Sequence, residues 1–224
     1  MRIVCFVEFG FGTVALREFA LGNNVTLVRL GTPAFFERCK LAAKLVVARF
    51  SKTVSEHTRD VVGRAAFEAK IAVKWTASVN SPEFIAWLKL QRADLIAVAG
   101  FSQILKPAVI NAARFAVNFH PSLLPAYRGP APSYWIIMNR EHESGVSCHV
   151  LVPGIDAGNI LFQERFTVTP EMTAAEHEEK AAELCAPLAR RLLRELEAGG
   201  IEAGTLRGEP QDEARASYYG FPPA

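Results

Sequence analysis

Asn118 and His120 stand two residues apart at the end of an apolar run, Phe115 to Phe119. Alternate residues of a strand share a face, so this spacing aims an amide and an imidazole into one cleft. Pro121, Pro125 and Gly129 follow and forbid a regular continuation. A neutral amide that donates hydrogen bonds, beside a group that titrates near neutrality, suits acyl chemistry, in which an oxyanion develops and a proton must move. On its own, Asn-x-His is most simply a strand end, with the amide starting a turn and the imidazole a satisfied polar residue. A single acid, Asp156, sits in the glycine-flanked loop Gly154 to Gly158, which by itself is a β-turn. His149 lies in an alternating run and reads as a packed or edge histidine.

The surrounding sequence must position these groups. Arg2 to Val7 is nearly all apolar and predicts a buried strand. It runs through Glu8-Phe9-Gly10-Phe11-Gly12-Thr13 into a helical stretch, Val14 to Leu21, and a second strand, Val25 to Leu30. Strand, glycine turn, helix and strand make a βαβ unit, which implies parallel pairing and a right-handed crossover. From Pro33 to about Ile71 the pattern is helical and mixed, with apolar stripes at Phe35, Phe36, Leu41, Leu45 and Val46 and at Val61, Val62, Ala65 and Ala66. Ile71 to Val73 is a short strand, and Ser81-Pro82 opens a helix through Gln91 with Ser81 as its N-cap. Asp94 to Ala99 is another buried parallel strand. The loop after it, Gly100 to Pro107, belongs beside Asn118 and His120, because ligands of open α/β sheets gather at the carboxyl ends of strands.

Further on, the pattern predicts helices at Val109–Ala113 and Pro132–Asn139 and strands at Gly145–Pro153 and Leu161–Val168. A long amphipathic helix, Glu171 to Glu197, carries a capping box at Thr173 and Glu176 and is stopped by Gly199-Gly200. The sum is an α/β fold: a Rossmann-like, mostly parallel twisted sheet with helices on both faces. Residues 1–200 form the expected catalytic domain and 201–224 a short C-terminal extension.

Composition narrows the classes. Half of the 224 residues are hydrophobic and 21% are charged, the balance of an ordinary globular protein. A net charge of +2 is too small to argue for nucleic acid or an anionic membrane. Cys5, Cys39, Cys148 and Cys185 lack the spacing of a zinc site or a disulfide framework, and no metal is expected. No apolar run approaches the ~20 residues needed to span a bilayer. The opening strand is shorter than a signal-peptide core, so a cytoplasmic location is expected.

Gly10, Gly12 and Ala15 also satisfy G-x-G-x-x-A, the dinucleotide fingerprint. That motif expects an acid at the end of the second strand, where Arg29, Leu30, Gly31 and Thr32 stand instead. Backbone amides at a helix start suit an anion, while a turn that needs glycine only for its geometry explains the same residues.

Asn-x-His-Pro-Ser-Leu-Leu-Pro from Asn118, then Tyr127-Arg128-Gly129-Pro130 and Gly154-Ile155-Asp156-Ala157-Gly158, resemble the folate-dependent formyltransferases. Members of that family act on glycinamide ribonucleotide, on methionyl-tRNA and on nucleotide-linked amino sugars. The resemblance runs from about Ala93 to Val168 and more loosely back to Met1. It implies 10-formyltetrahydrofolate as the donor and Asn118, His120 and Asp156 as the catalytic groups. The amide would serve the oxyanion, and the carboxylate would favour the charged imidazole.

By the same resemblance, the folate side takes Phe101, Gln103, Ile104 and Leu105, then Ser122, Leu123, Leu124 and Pro125, and Val152, Gly154 and Ile155. Gln103 to Leu105 could otherwise be a plain apolar turn. Gly10, Gly12 and Thr13 would meet the acceptor, as would Arg128, which could otherwise be a surface turn residue. Tyr127 to Trp135 resembles the tRNA and amino-sugar branches more than the purine branch. Methionyl-tRNA members carry a separate, basic C-terminal β-domain, for which too little follows Gly200. The expected partners are therefore folate and a small amine, such as a nucleotide-linked amino sugar or an amino-acid derivative, with nucleic acid disfavoured. Gln211, Tyr218 and Tyr219 are candidates for an extension over the acceptor side. A methionyl-tRNA or glycinamide-ribonucleotide formyltransferase, a formyltetrahydrofolate hydrolase and a non-catalytic folate- or nucleotide-binding module are the alternatives. The residues leave oligomeric state open, a homodimer included.

Overall fold

The computed structural model describes residues 1–31, 60–199 and 208–223. The apolar stripe from Phe35 to Val46, and Cys39, lie outside them. The described strands form one seven-stranded sheet: β1 (Arg2–Phe6), β2 (Asn24–Leu30), β3 (Ala72–Thr76), β4 (Leu95–Ala99), β5 (Phe115–His120), β6 (Glu143–Val150) and β7 (Ile160–Thr167). Their order is β3-β2-β1-β4-β5-β6-β7. The pairs from β3 through β5 are parallel, and β5–β6 and β6–β7 are antiparallel.

Chain order reverses between β1 and β4, the kind of crevice in which α/β proteins bind ligands. The apolar strands β1, β4 and β5 are buried on both faces, as parallel strands covered by helices must be. On one face, Cys5, Leu27, Ala97, Val117 and Phe119 pack against α1 (Thr13–Ala20) and the long C-terminal helix Ala174–Glu197. On the other, Phe6, Val28, Ile96, Val98 and Ala116 pack with Phe84 and Leu88 of the helix Pro82–Gln91.

Helix boundaries follow local chemistry. Ser81 Oγ accepts from the amide of Phe84, and Pro82 fills the first helical position, whose amide would have no partner. Thr173 and Glu176 form the reciprocal capping box. β3 is longer than its apolar core suggests, because Lys74 and Trp75 continue the pairing with β2. β6 ends at Val150, before the expected Pro153, and leaves residues 151–159 free to turn back toward β5. No described helix is long and apolar enough to cross a membrane.

Candidate active site

β5 and β6 build the floor. Ala116, Asn118 and His120 share a face, and Asn118 lies directly across from His149 in the antiparallel register. The loop after β6 brings Asp156 back over that pair. Its Oδ1 is 3.2 Å from Asn118 Nδ2 and 3.5 Å from His149 Nε2. Its Oδ2 accepts from the Gly129 amide at 2.9 Å and lies 3.6 Å from His120 Nδ1. Amide, imidazole and carboxylate thus converge, and a second imidazole joins them.

The electrostatics follow from this grouping. Burial alone would push the Asp156 carboxyl up, but the charge of His120, the bond and charge of His149 and the Gly129 amide outweigh it. They hold the acid well below the usual carboxylate range, so Asp156 is an anion at working pH.

Each ring has a fixed second partner. His120 Nε2 donates to the Tyr127 carbonyl at 2.7 Å, which leaves Nδ1 facing the carboxylate. His149 Nδ1 is 2.9 Å from the Val150 carbonyl, and because a carbonyl only accepts, that nitrogen carries hydrogen. His149 Nε2 lies 3.1 Å from Asn118 Nδ2 and 3.5 Å from Asp156 Oδ1. Because a carboxylate oxygen only accepts, the Asn118 group that faces Asp156 Oδ1 at 3.2 Å is its NH₂.

His149 is packed, at 1% exposed, as its pattern suggests, yet its ring edge is part of the site. The available signal was its alternation within β6, but only the register set it opposite Asn118.

The expected folate-side residues surround this centre with different roles. Ile104, Val152 and Ile155 are exposed apolar side chains. Phe101 is half-buried and sits edge-on to Phe6. Gly154 is exposed, and Leu123 and Pro125 are half-buried. Leu105, Ser122 and Leu124 are buried, so their side chains hold the loops from behind. The Leu124 amide donates to Ser147 Oγ, which donates to the Ser122 carbonyl. The carboxamide of Gln103 is occupied by the Val79 amide and the Ala77 carbonyl. Glu8 accepts from both the amide and the hydroxyl of Ser102, tying the first loop to the loop after β4.

The acceptor-side expectations fare unevenly. Gly10 is exposed and borders an open cleft of about 450 Å³ lined also by Glu8, Phe9, Arg29, Asp60, Val61 and Val62. Gly12 is buried, and a Cβ there would stand 2.4 Å from the Ala99 carbonyl, so this glycine permits close packing of the turn on β4. Thr13 is buried as well. Arg29 occupies the end of β2, with both Asp60 oxygens 2.7 Å from its Nη1, where a dinucleotide site would want an acid.

Arg128, expected either to meet an acceptor or to be a surface turn residue, is bonded within the chain. Its guanidinium donates to Gln211 and to Glu213 and is only 11% exposed. The tail 208–223 lies against the 126–129 loop, where Tyr219 stacks on Tyr127 at 5.1 Å and the Ser217 hydroxyl accepts from the Tyr127 amide. Among the described residues, no group of three or more metal-ligating side chains is gathered.

The Formyl transferase family model matches residues 40–188, about two thirds of the chain and the stretch that contains every residue of this centre. The chain belongs to the formyl transferase family. A methionyl-tRNA formyltransferase from Moorella thermoacetica is 34% identical over 203 residues, covering 86% of this chain and 64% of that protein. One from Acetivibrio thermocellus is 32% identical over 203 residues, covering 90% and 61%. The chain thus spans less than two thirds of the length of these relatives.

Among solved structures, glycinamide ribonucleotide transformylase 1 from Symbiobacterium toebii superposes with a TM-score of 0.70 at 16% identity, over 95% of this chain and 94% of that one. A sugar N-formyltransferase from Shewanella sp. gives 0.65 at 16%, over 98% and 76%. At such identities the likeness speaks for the fold, and it supports a formyltransferase sheet.

Proposed function

We propose that this protein transfers a formyl group from 10-formyltetrahydrofolate to the primary amine of a small acceptor, without a metal. The observation that carries the reading is the meeting of Asp156, from one loop, with Asn118 and His120, from another strand, around a single point of the cleft.

The acceptor nitrogen bonds to the formyl carbon, the bond from that carbon to the folate nitrogen breaks, and one proton passes from the amine to the departing nitrogen. Asn118, half-buried and aimed into the cleft, donates an amide hydrogen to the developing oxyanion. Asp156 Oδ2, 3.6 Å from His120 Nδ1, orients that ring toward the reacting carbon and stabilises the positive charge that builds on the attacking amine. His149 and the Gly129 amide keep the carboxylate aimed. The flat faces of the donor's pterin ring fit the side chains that stay exposed at the mouth, Ile104, Val152 and Ile155, and its polar edge fits the peptide groups of the 101–105 and 122–125 loops beside them.

For the acceptor we favour a nucleotide-linked amino sugar or an amino-acid derivative, since the net charge of +2 offers little grip for nucleic acid. A second reading, an aminoacyl-tRNA acceptor, is favoured by the names of the relatives in sequence. The test is incubation with 10-formyltetrahydrofolate and a panel of amines. Tetrahydrofolate release that depends on a small amine is the expected result. Release with charged tRNA alone selects the second reading, release without amine means hydrolysis, and no release in any arm refutes the enzyme assignment.

A further inference from the structure

We propose that Gln211, in the C-terminal tail, is a positioning residue of this active site. Its side-chain amide locks the Asp156 loop and the Arg128 loop together, so the tail completes the catalytic centre. The inference rests on the function proposed above.

Gln211 is 55 residues from Asp156 in sequence, yet its Nε2 donates to the Asp156 carbonyl and to the Gly158 carbonyl, each at 2.7 Å. Its Oε1 accepts from Arg128 Nε at 3.1 Å and Nη2 at 2.8 Å. Both hydrogens and both lone pairs of the carboxamide are therefore used. The orientation is fixed, because a flipped amide would set oxygen against two carbonyls and an NH₂ against a guanidinium.

The two loops it joins are the ones that hold the reacting groups. From the first, the Tyr127 carbonyl receives His120 and the Gly129 amide donates to the Asp156 carboxylate. The tail fastens that loop elsewhere too, with the Arg128 amide donating to the Ser217 carbonyl and the Tyr219 amide to the Arg128 carbonyl. In the second loop, Asp156 adopts a left-handed backbone with φ 49°. Aspartate visits that region more readily than most residues with a Cβ, and contacts on its peptide group favour it further. Gln211 grips the carbonyl of that same residue, and so sets the direction in which the carboxylate leaves the backbone. Glu213 also binds Arg128, but it touches neither Asp156 nor Gly158, which makes it a natural control.

The experiment compares Q211A, Q211E and E213A with the wild type. Q211E keeps an oxygen for Arg128 but turns the other against the two carbonyls. In either Gln211 variant, kcat for amine-dependent formyl transfer should fall about 10- to 100-fold, the scale on which small misplacements act. KM for the folate donor should stay within about twofold and far-UV circular dichroism should be unchanged, while E213A should keep most of its kcat. Equal kcat in Q211E and wild type would overturn the proposal.

A second readout needs no turnover. The carboxyl of Asp156, followed by carbon NMR, should titrate higher in Q211A, which adds no charge, than in wild type as the carboxylate loses its alignment with Gly129 and His120. An unchanged titration overturns the positioning role. Altered titration in a protein that shows no formyl transfer would leave Gln211 as proposed and condemn the functional reading instead.

Discussion

Asn118 donates to Asp156 beside His149, and in the proposed reaction it gives one hydrogen to an oxyanion. Asn118→Ala should therefore lower kcat by about 10² to 10³, the usual cost of a lost oxyanion donor. The donor's dissociation constant, measured by fluorescence titration, should barely move, and a rate within a few-fold of wild type would remove Asn118 from the mechanism. Gly129 makes a different claim. Its φ is +112° and a Cβ would lie 2.0 Å from the Tyr219 carbonyl, so Gly129→Ala must both strain the turn and push the tail away. A loss of about 1 to 3 kcal/mol is expected, read as a drop in Tm at about 2 to 4 °C per kcal/mol for a chain of this size.

At this scale the sequence is legible where spacing alone determines direction. Asn118 and His120 had to share a face. Asp156 was reachable only through its resemblance to a known motif, because a glycine-flanked acid is an ordinary turn. His149 was legible only as a packed histidine and Gln211 only as part of a tail over the acceptor side, since their contacts with Asn118 and Asp156 depend on strand register and on a tail that returns from more than 50 residues away.

The elements that carry the site are joined by His177, from the first turns of the long C-terminal helix. It is fully buried, with Nδ1 2.9 Å from Ser133 Oγ and Nε2 2.7 Å from Ser144 Oγ, and so pins the helix Pro132–Met138 and β6 to that helix. Burial lowers its pKa from 6.5 to about 4. Between those values the unfolded chain binds a proton that the folded chain does not, so stability rises with pH. The contribution is complete above about pH 6.5 and is lost as pH falls toward 4, by about 2 kcal/mol at pH 5. Urea unfolding at pH 7 and pH 5 should show that difference in wild type and a clearly smaller one in His177→Asn. Equal pH slopes would contradict it.

Element ends were readable from sequence where the deciding contacts are local, as at Ser81-Pro82 and at Thr173 with Glu176. The antiparallel turn of β6 and β7 was not, because an alternating run pairs equally well in either direction until the sheet is assembled.

For the molecule as a whole, the βαβ start and the apolar strands specified a layered α/β sheet, and the candidate site lies at the end of β5, one strand beyond the β1–β4 reversal. Acceptor identity was less legible, since it depends on surfaces that no short motif encodes. Salt distinguishes the two acceptor readings. A small amine should show a kcat/KM that changes little between 50 and 200 mM salt, whereas a tRNA acceptor gripped through several phosphates should lose affinity by orders of magnitude.

The Asp156 carboxylate gathers the other groups of the centre. Single-turnover formyl transfer by Asp156→Asn, at saturating donor and amine and with unchanged donor binding, should be slower than wild type by at least about 10². A rate near that of the wild type would show that the convergence of Asn118, His120 and Asp156 is not where the reaction takes place.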